Sequence, residues 1–579
     1  MAFDGVMTKS VITELQNTIV GAKVNKVFEP TKSEIILSLY NQGINYHLNI
    51  SANPEFCRIN LTNTLKPNPQ NAYNFCMLLR KYLIGSKITK ISSFDLERTI
   101  EIEFECYNDL NDLIHRKLFV EIMSRQSNII LTNENNMIIE TLKHFDNSPR
   151  ELLPAHEYIP VTSNKKSFLK INTYEEFEKT YYSFDEEITS FINLFINHFI
   201  GFSKPLVQVA LNNLEITDNS ITQMNLEKLF NYFKSITNFF GSNEISCTEF
   251  NKKELVIIPS NFENKEDFKL SNEIIPNAPI NTLIDDFYIN KETNNLFITS
   301  RNNLLKVVLS SLKKVSKKIE NINHKLSECD DLDKYRLYGE LLTANLYKFN
   351  SNYNYDSVTV ENYYEENKPI TIPLDKSISL QKNIEKLFKK YNKLKNALVI
   401  VTKQKEEAEN ELNYIETIVF NLSNSKNVND IHEVYEEISN NVVTKKEINK
   451  KSNNIKKKEK PQSMVFETVD IDGYTVYIGK NNIQNDYISL KLANPKDIWF
   501  HVQTMHGSHI LLRNPENLDL EDLPENVLHK CALLAKDTSK AANDVNVSID
   551  YCYAKLVKKA QGAKPGMVIY NNYKTMIVK

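Results

Sequence analysis

From Leu305 onward the apolar positions advance in alternating steps of three and four. Leu305, Val308, Leu312, Val315, Ile319, Ile322 and Leu326 therefore fall on one seam of a helix. A second run keeps that spacing through Ile384, Leu387, Tyr391, Leu394, Leu398, Val401, Lys405, Ala408, Leu412, Ile415, Val419 and Leu422, and only Lys405 breaks its apolar seam. Between the runs lie YGELLTANLYKF, VTVENYY and ITIPLD, which read as a folded insert. Two such helices can pair antiparallel within one chain, as an arm several tens of ångströms long at about 1.5 Å per residue. The same seams suit a dimer of two chains, but the matched lengths and the returning insert favour the hairpin.

Elsewhere the pattern changes. Residues 1 to about 165 alternate short β-branched runs with turns, as in KVNKVFEPTKSEIILSLY, RTIEIEFECY and KLFVEIMSRQSNIILT, the spacing of half-buried strands in a mixed α/β or β-rich domain. From about 177 to 240 the period becomes helical. There GFSKPLVQVALNNL sets a turn before an apolar helical face, readable as a helix-hairpin-helix that holds a phosphate or as simple helix packing. The last 116 residues, 464–579, hold five of the twelve glycines and read as a separate α+β domain. In it YTVYIGKNNIQNDYISLKL predicts strand, turn, strand, and VIYNNYKTMIVK a hairpin about Asn-Asn. These shifts divide the chain at 1–170, 171–284, 285–440, 441–463 and 464–579.

Composition narrows the classes. At 579 residues, 41% hydrophobic and 25% charged, the chain is an ordinary multidomain globular protein. It contains no apolar run approaching the roughly 20 residues that span a bilayer, and MAFDGVMTKS lacks the plan of a signal peptide, so a cytoplasmic protein without a membrane partner is expected. Seven cysteines, none at Cys-x-x-Cys spacing, point to reduced thiols. The net charge of −3 hides a gradient: residues 441–463 carry eight lysines against two glutamates, and 551–579 carry six lysines and no acid. Positive charge gathered at one end fits a polyanion partner, although a solvated linker explains the first cluster equally well.

Catalytic patterns are absent. There is no G-x-x-x-x-G-K-[ST], no G-x-G-x-x-G and no nucleophile elbow around Ser463, Ser489 or Ser508. No catalytic residue, metal ligand set or cofactor is expected. In DIWFHVQTMHGSHILLR, residues 497–513, a strand sends His501 and His509 to one face and His506 to the other, which argues against a metal. A turn at His506-Gly507-Ser508 instead sets His501 opposite His509, with imidazoles free to hydrogen-bond a phosphate or to pack beside Trp499, the only tryptophan.

Three sets of motifs stand out together: MAFDGVMTKSVITEL, EIMSRQSNIIL and LKHFDNSPRELLPAHEYIP at the N-terminus, YGELLTAN and IPLDKSISLQKNIEKLFKKYNKLKNA in the middle, and GKNNIQND, DIWFHVQTMHGSHILLR and KKAQGAKPGMVIY near the C-terminus. Through them, over nearly its whole length, the chain resembles the NFACT family, in its bacterial RqcH type. The resemblance implies a multidomain α+β protein. Its parts are an NFACT-N domain similar to formamidopyrimidine-type DNA glycosylases, a helix-hairpin-helix region, a long antiparallel coiled-coil arm, a lysine-rich linker and an RNA-binding NFACT-R domain. It also implies a ribosome-associated quality-control factor, monomeric on the ribosome and not itself an enzyme. Such a factor binds large subunits obstructed by peptidyl-tRNA, recruits aminoacyl-tRNA, tRNA-Ala above all, and supports untemplated alanine tailing, with the small RNA-binding protein RqcP as a further partner. An older reading of the family is a fibronectin-binding adhesin. The glycosylase activity itself is not implied, because Met1 is followed by Ala2-Phe3-Asp4 rather than proline and no cysteine finger closes the chain.

Carried over by motif, tRNA contacts fall on Glu97, Arg98, Glu121, Ile122, Met123 and Arg125. Glu97 stands where the family has Asp, and strand alternation puts Ile122 in the core with Glu121 and Met123 on the other face. Ribosomal-RNA contacts fall on Trp499, His501, Gly507, Ser508, His509, Lys558, Lys559 and Lys564, with His506 where the family commonly has Pro.

Overall fold

The computed structural model describes residues 3–108, 110–146, 150–184, 188–251, 254–262, 279–349, 355–441 and 466–579; nearly all of the lysine-rich linker, 442–463, lies outside them. Its contacts divide the chain into two compact units, Met1–Glu292 and Thr293–Lys579.

The first unit is built on a nine-stranded sheet. Helix α1 (Gly5–Ile19) precedes β1 (Lys23–Thr31), β2 (Glu34–Asn41), β3 (Ile44–Ser51) and β4 (Arg58–Leu61). After α2 (Asn74–Leu83) come β5 (Lys87–Ser93), β6 (Thr99–Tyr107), β7 (Leu113–Glu121), β8 (Asn128–Asn133) and β9 (Ile138–Thr141). The order is β4-β3-β2-β1-β5-β6-β7-β8-β9, and every neighbouring pair is antiparallel. Strand β6 shows why the alternation was readable: Ile100, Ile102, Phe104 and Cys106 are buried, while Glu101 and Glu103 pair outward with Lys117 and Lys90, each at 3.2 Å. Four helices follow, α3 (Tyr174–Tyr182), α4 (Phe191–His198), α5 (Lys204–Asn213) and α6 (Gln223–Thr237), packed around an aromatic cluster centred on Phe168. The hairpin β10 (Ile245–Phe250) and β11 (Glu254–Pro259) completes the unit.

Helix α7 (Ile280–Ser327) begins in this core, where Ile280, Ile284, Phe287 and Tyr288 are buried. Its first turns also cover the edge strand β4. Asn281 accepts from Leu61 N at 2.8 Å, Asp285 accepts from Asn63 N at 3.1 Å, and Glu292 binds Arg58 at 2.7 Å. Arg58 is buried under the Tyr288 ring, 4.7 Å from its centre, and also donates to Phe56 O and Asn60. Removing a buried charge partner costs about 3–5 kcal/mol. Arg58→Ala should therefore lower the denaturant midpoint of the first unit by that much free energy. A loss below about 1 kcal/mol would show that the network is not closed as described.

In the second unit the two seams meet. Val308 and Val315 of α7 share a buried cluster with Tyr414, Ile415, Ile418 and Leu422 of α9 (Leu380–Asn424), while Ile322 packs with Val401 and Ala408, so the helices run antiparallel. The insert consists of α8 (Leu332–Ala344) and the hairpin β12 (Ser357–Asn362) with β13 (Lys368–Pro373). Helix α10 (Val428–Asn441) then packs Ile431, Val434 and Ile438 into the same cluster.

The C-terminal sheet contains β14 (Glu467–Ile471), β15 (Tyr474–Ile478), β16 (Ile498–Val502), β17 (Ile510–Leu512), β18 (Val547–Tyr553) and β21 (Lys574–Val578), in the order β14-β15-β17-β16-β18-β21. One face is covered by α12 (Glu525–Asp537). The other is covered by α11 (Asn482–Tyr487), the π-helical turn Ile488–Leu492 and the small pair β19 (Val557–Lys558) and β20 (Ile569–Tyr570).

Two sequence expectations fail here. After β15 the chain turns into a helix rather than a second strand: Asn481 caps it by accepting from Gln484 N at 2.9 Å, and the buried residues are amides without period-two order. The Asn-Asn turn does not close a hairpin either. Asn572 takes a left-handed φ of 51°, but β20 pairs with β19 and β21 with β18, so the turn hands the chain from one sheet to another.

Candidate nucleic-acid interfaces

In the first unit, β6 and β7 pair Thr99 with Glu121, which brings the segment before β6 against the segment after β7. Ile122 N donates to Arg98 O at 3.0 Å. Beneath lies a close backbone crossing. A side chain on Gly5 would stand 1.8 Å from Leu96 O and 2.5 Å from Gly201 Cα, and Gly5 N donates to Gly201 O at 3.0 Å. The Gly201 turn, with φ +85°, is thus used for packing. Asp4 is half-buried at the start of α1, accepting from Met7 N at 2.9 Å and from the Ser203 hydroxyl at 2.5 Å. Burial raises its pKa, and the Arg98 charge is one of the influences opposing that rise.

The six residues expected to touch tRNA separate into two groups. Arg98 and Met123 are half-buried and Arg125 is exposed, all at one end of the β6–β7 pair. Glu97 belongs with them but spends its carboxylate internally, accepting from Ser163 N at 2.9 Å; burial, opposed by that bond, raises its pKa. Glu121 and Ile122 are both buried: Ile122 lies in the core, on the side alternation gave it, whereas the outward placement of Glu121 is corrected. Glu121 accepts from the Tyr158 hydroxyl at 2.7 Å and pairs with Arg150, while Tyr158 stacks on Phe119 at 4.1 Å. Alternation alone put Glu121 outward; a later segment covers it.

In the C-terminal domain His501 does stand opposite His509, with ring centres 5.2 Å apart. Their surroundings differ from the expected surface. Trp499 is fully buried, and its Nε1 donates to Ser489 Oγ at 2.9 Å; that oxygen lies 2.7 Å from His509 Nδ1. Burial lowers the pKa of His501 to about 4 and that of His509 well below its ordinary value. Both rings pack beside Trp499, His501 stacked at 5.7 Å and His509 edge-on at 5.1 Å between ring centres, the second of the two arrangements the sequence left open. Gly507 and Ser508 are tucked against the end of α12: Ser508 N donates to Thr538 O at 3.2 Å, and a side chain on Gly507 would meet Ser539 Cβ at 2.9 Å. The motif thus shapes the hairpin.

As a consequence, Trp499→Ala should cost about 3–5 kcal/mol of stability. The fluorescence of Trp499 should be blue-shifted and unchanged on adding RNA. Quenching that saturates with RNA would mean that the ring stacks on bases after all.

Of the three lysines, Lys559 is paired with Asp486, and Lys564 lies 5.7 Å over the Tyr414 ring. Lys558 is exposed on β19, which packs against the Ile488–Leu492 turn carrying Lys491. Lys555, exposed just before β19, is tied to the same place by its N–H to Pro495 O at 3.4 Å. Among the described residues Lys491, Lys555 and Lys558 form no ion pair, whereas Lys480, Lys496, Lys530 and Lys574 each do. Lys491 and Lys555 were missed in the sequence because nothing there marks which lysines an acid neutralises.

Among the described residues no cluster of three His, Cys, Asp or Glu side chains is placed to hold a metal, and no helix is long and apolar enough to cross a membrane. A sheet unit with an arginine-bearing end and a C-terminal domain with an unpaired lysine face define a nucleic-acid-binding multidomain protein.

Comparison with known proteins narrows that class. The NFACT N-terminal and middle domains match residues 4–460, and the NFACT protein RNA binding domain matches residues 464–572. The Rqc2 homolog RqcH of Bacillus subtilis (strain 168) is 33% identical over 585 residues, spanning 100% of this chain and 98% of that one. Its namesake from Streptococcus pneumoniae (strain ATCC BAA-255 / R6) is 30% identical over 586 residues with the same coverage. The N-terminal structure of the fibronectin/fibrinogen-binding protein from Streptococcus suis is 27% identical, covers 50% of this chain and 99% of its own, and superposes with a TM-score of 0.40. The chain belongs to the NFACT family, and its role is in ribosome-associated quality control, through interaction with the ribosome and tRNA.

Proposed function

We propose that the chain recognises large ribosomal subunits still blocked by peptidyl-tRNA, recruits aminoacyl-tRNA and supports untemplated C-terminal tailing of the stalled chain, with tRNA-Ala as the tRNA taken. In this reading Arg98, with Met123 and Arg125 beside it, takes the tRNA, and Glu97 holds the Ser163 segment behind them. Lys491, Lys555 and Lys558 take ribosomal-RNA phosphates, with Lys559, Lys564 and the 441–463 linker at the margin. The α7–α9 pair serves as a coiled-coil arm. The N-terminal sheet is a formamidopyrimidine-glycosylase-like scaffold used for binding rather than excision.

The observation that carries the reading is the exposed Lys491, Lys555 and Lys558 of the C-terminal domain, with Arg98 and exposed Arg125 at one end of the β6–β7 pair and, among the described residues, no nucleophile, base and oxyanion donor assembled beside either. A factor built this way contributes positioning, and the peptide bond forms in the ribosome's own RNA centre. It acts as a monomer in the cytoplasm, with RqcP as an RNA-binding companion on the same subunit.

The test is an affinity pull-down of the tagged full-length chain at moderate salt, with sequencing of the copurified RNA. Large-subunit RNA with one enriched tRNA is expected, and the enriched species names the tailed amino acid. Recovery of no RNA would overturn the reading and return attention to an adhesin.

A further inference from the structure

The segment NNIQND looks in the sequence like part of an RNA surface, yet every one of its polar side chains is engaged within the protein. Asn482 Nδ2 donates to Glu437 Oε1 and to Thr417 Oγ1, each at 2.8 Å. Asn481 Nδ2 and Gln484 Nε2 both donate to Glu433 Oε2, at 2.5 and 2.8 Å. Asn485 Oδ1 accepts from His509 N at 3.0 Å, and Asp486 accepts from Gly566 N at 2.9 Å. Glu433 and Glu437 belong to α10 and Thr417 to α9, so three amides of the C-terminal domain grip the two helices. His506, on the hairpin tip, adds a contact to Glu416 of α9 at 3.3 Å.

Two features make this more than incidental contact. The partners are buried: Asn481, Asn482 and Gln484 are each under 5% exposed and Glu437 is fully enclosed, held also by the Tyr414 hydroxyl at 2.8 Å. Burial raises the Glu437 pKa to about 7, against the bonds from Asn482 and Tyr414. Furthermore, among the described residues no buried apolar cluster is shared between the helices and the C-terminal sheet; Ile415, Ile418 and Ile438 lie in one cluster, and Ile488 and Trp499 in another. An interface without a hydrophobic core stands or falls with its hydrogen bonds, and those to buried carboxylates are the strong ones.

We propose that NNIQND is a docking latch that keeps the RNA-binding domain seated on α9 and α10 without help from the 442–465 connection. The arm and the lysine face then move as one body. That consequence for ribosome binding rests on the function proposed above; the docking does not.

The test places a protease site within 442–465 of the full chain, cuts after folding, and follows the two fragments by size-exclusion chromatography at moderate salt. Wild-type fragments should co-elute. Glu433→Ala with Glu437→Ala should weaken their association about 10-fold or more, while Glu437→Gln, which still accepts from Asn482 and Tyr414, should stay close to wild type. The far-UV circular dichroism of each uncut variant checks folding. Should the double variant misfold, Gln484→Ala, which removes a donor from the other side, reads the same contact. Separation of the wild-type fragments on cutting would overturn the proposal. So would a well-folded double variant whose fragments stay together as tightly as wild type. Neither result touches the RNA pull-down, so failure of the latch is distinct from failure of the rescue function.

Discussion

Replacing Lys491, Lys555 and Lys558 together with alanine should weaken binding to the large subunit and flatten its salt dependence by about 2–3 in the slope of log K against log salt, at roughly 0.7–0.9 per phosphate contact. Across a fourfold rise in salt that difference is on the order of 15- to 60-fold. The effect should be large because these three lysines sit together on the Ile488–Leu492 turn and the β19 region, and no acid neutralises them among the described residues. Lys559→Ala is the control. Its ammonium is already paired with Asp486, so a smaller loss and a slope change below one are expected. Titrating subunit binding by sedimentation at four salt concentrations checks both. Equal losses for the triple variant and for Lys559→Ala would remove the distinction between paired and unpaired lysines on which this face was chosen.

Arg98→Ala should abolish tRNA enrichment in the pull-down while large-subunit RNA is recovered at near wild-type levels. A forked guanidinium contact to a base edge or phosphate contributes about 1–3 kcal/mol, or roughly 5- to 150-fold in tRNA affinity. Arg98→Lys keeps the charge but not the fork and should fall between. The backbone at this position is held by Ile122 N and by the Gly5–Gly201 crossing beneath Leu96, and far-UV circular dichroism with thermal melting of the variant checks that the fold survives loss of the side chain's influence on Asp4 and Glu97. Loss of both RNAs together would mean that one surface serves both, and the division of labour would be wrong.

Much of the architecture was legible along the chain. The strands of the first sheet, the two heptad helices and the folded insert between them are written in periodicity, because period 2 and period 3.5 are local consequences of which face an element buries. The likeness of motifs in three regions gave the family and, through it, the role. The sites were read less well, for one recurring reason. Alternation tells which residues share a face but not what later covers that face. Glu121 faces out of its strand until Arg150 and Tyr158 close over it; Trp499 faces away from α12 until α11, the π-helical turn and β20 cover it.

By itself, then, the sequence determined most of the elements and the sign of charge at the C-terminal end, since each depends on neighbours within a few residues; the helix after β15 and the turn before β21 escaped it. Only the tertiary structure decided which polar groups remain available. Lys559 and Lys564 are adjacent to Lys558 in the motif, yet Asp486 and Tyr414, more than 70 residues away, occupy them. Lys491 and Lys555, unremarkable in sequence, are exposed and lie over Tyr487 and Tyr553, with no acid paired to them among the described residues. Likewise the NNIQND amides turn toward half-buried Glu433 and buried Glu437, and a carboxylate enclosed like that of Glu437 must be hydrogen-bonded to remain buried, a requirement that exists only once the helices and the sheet have met.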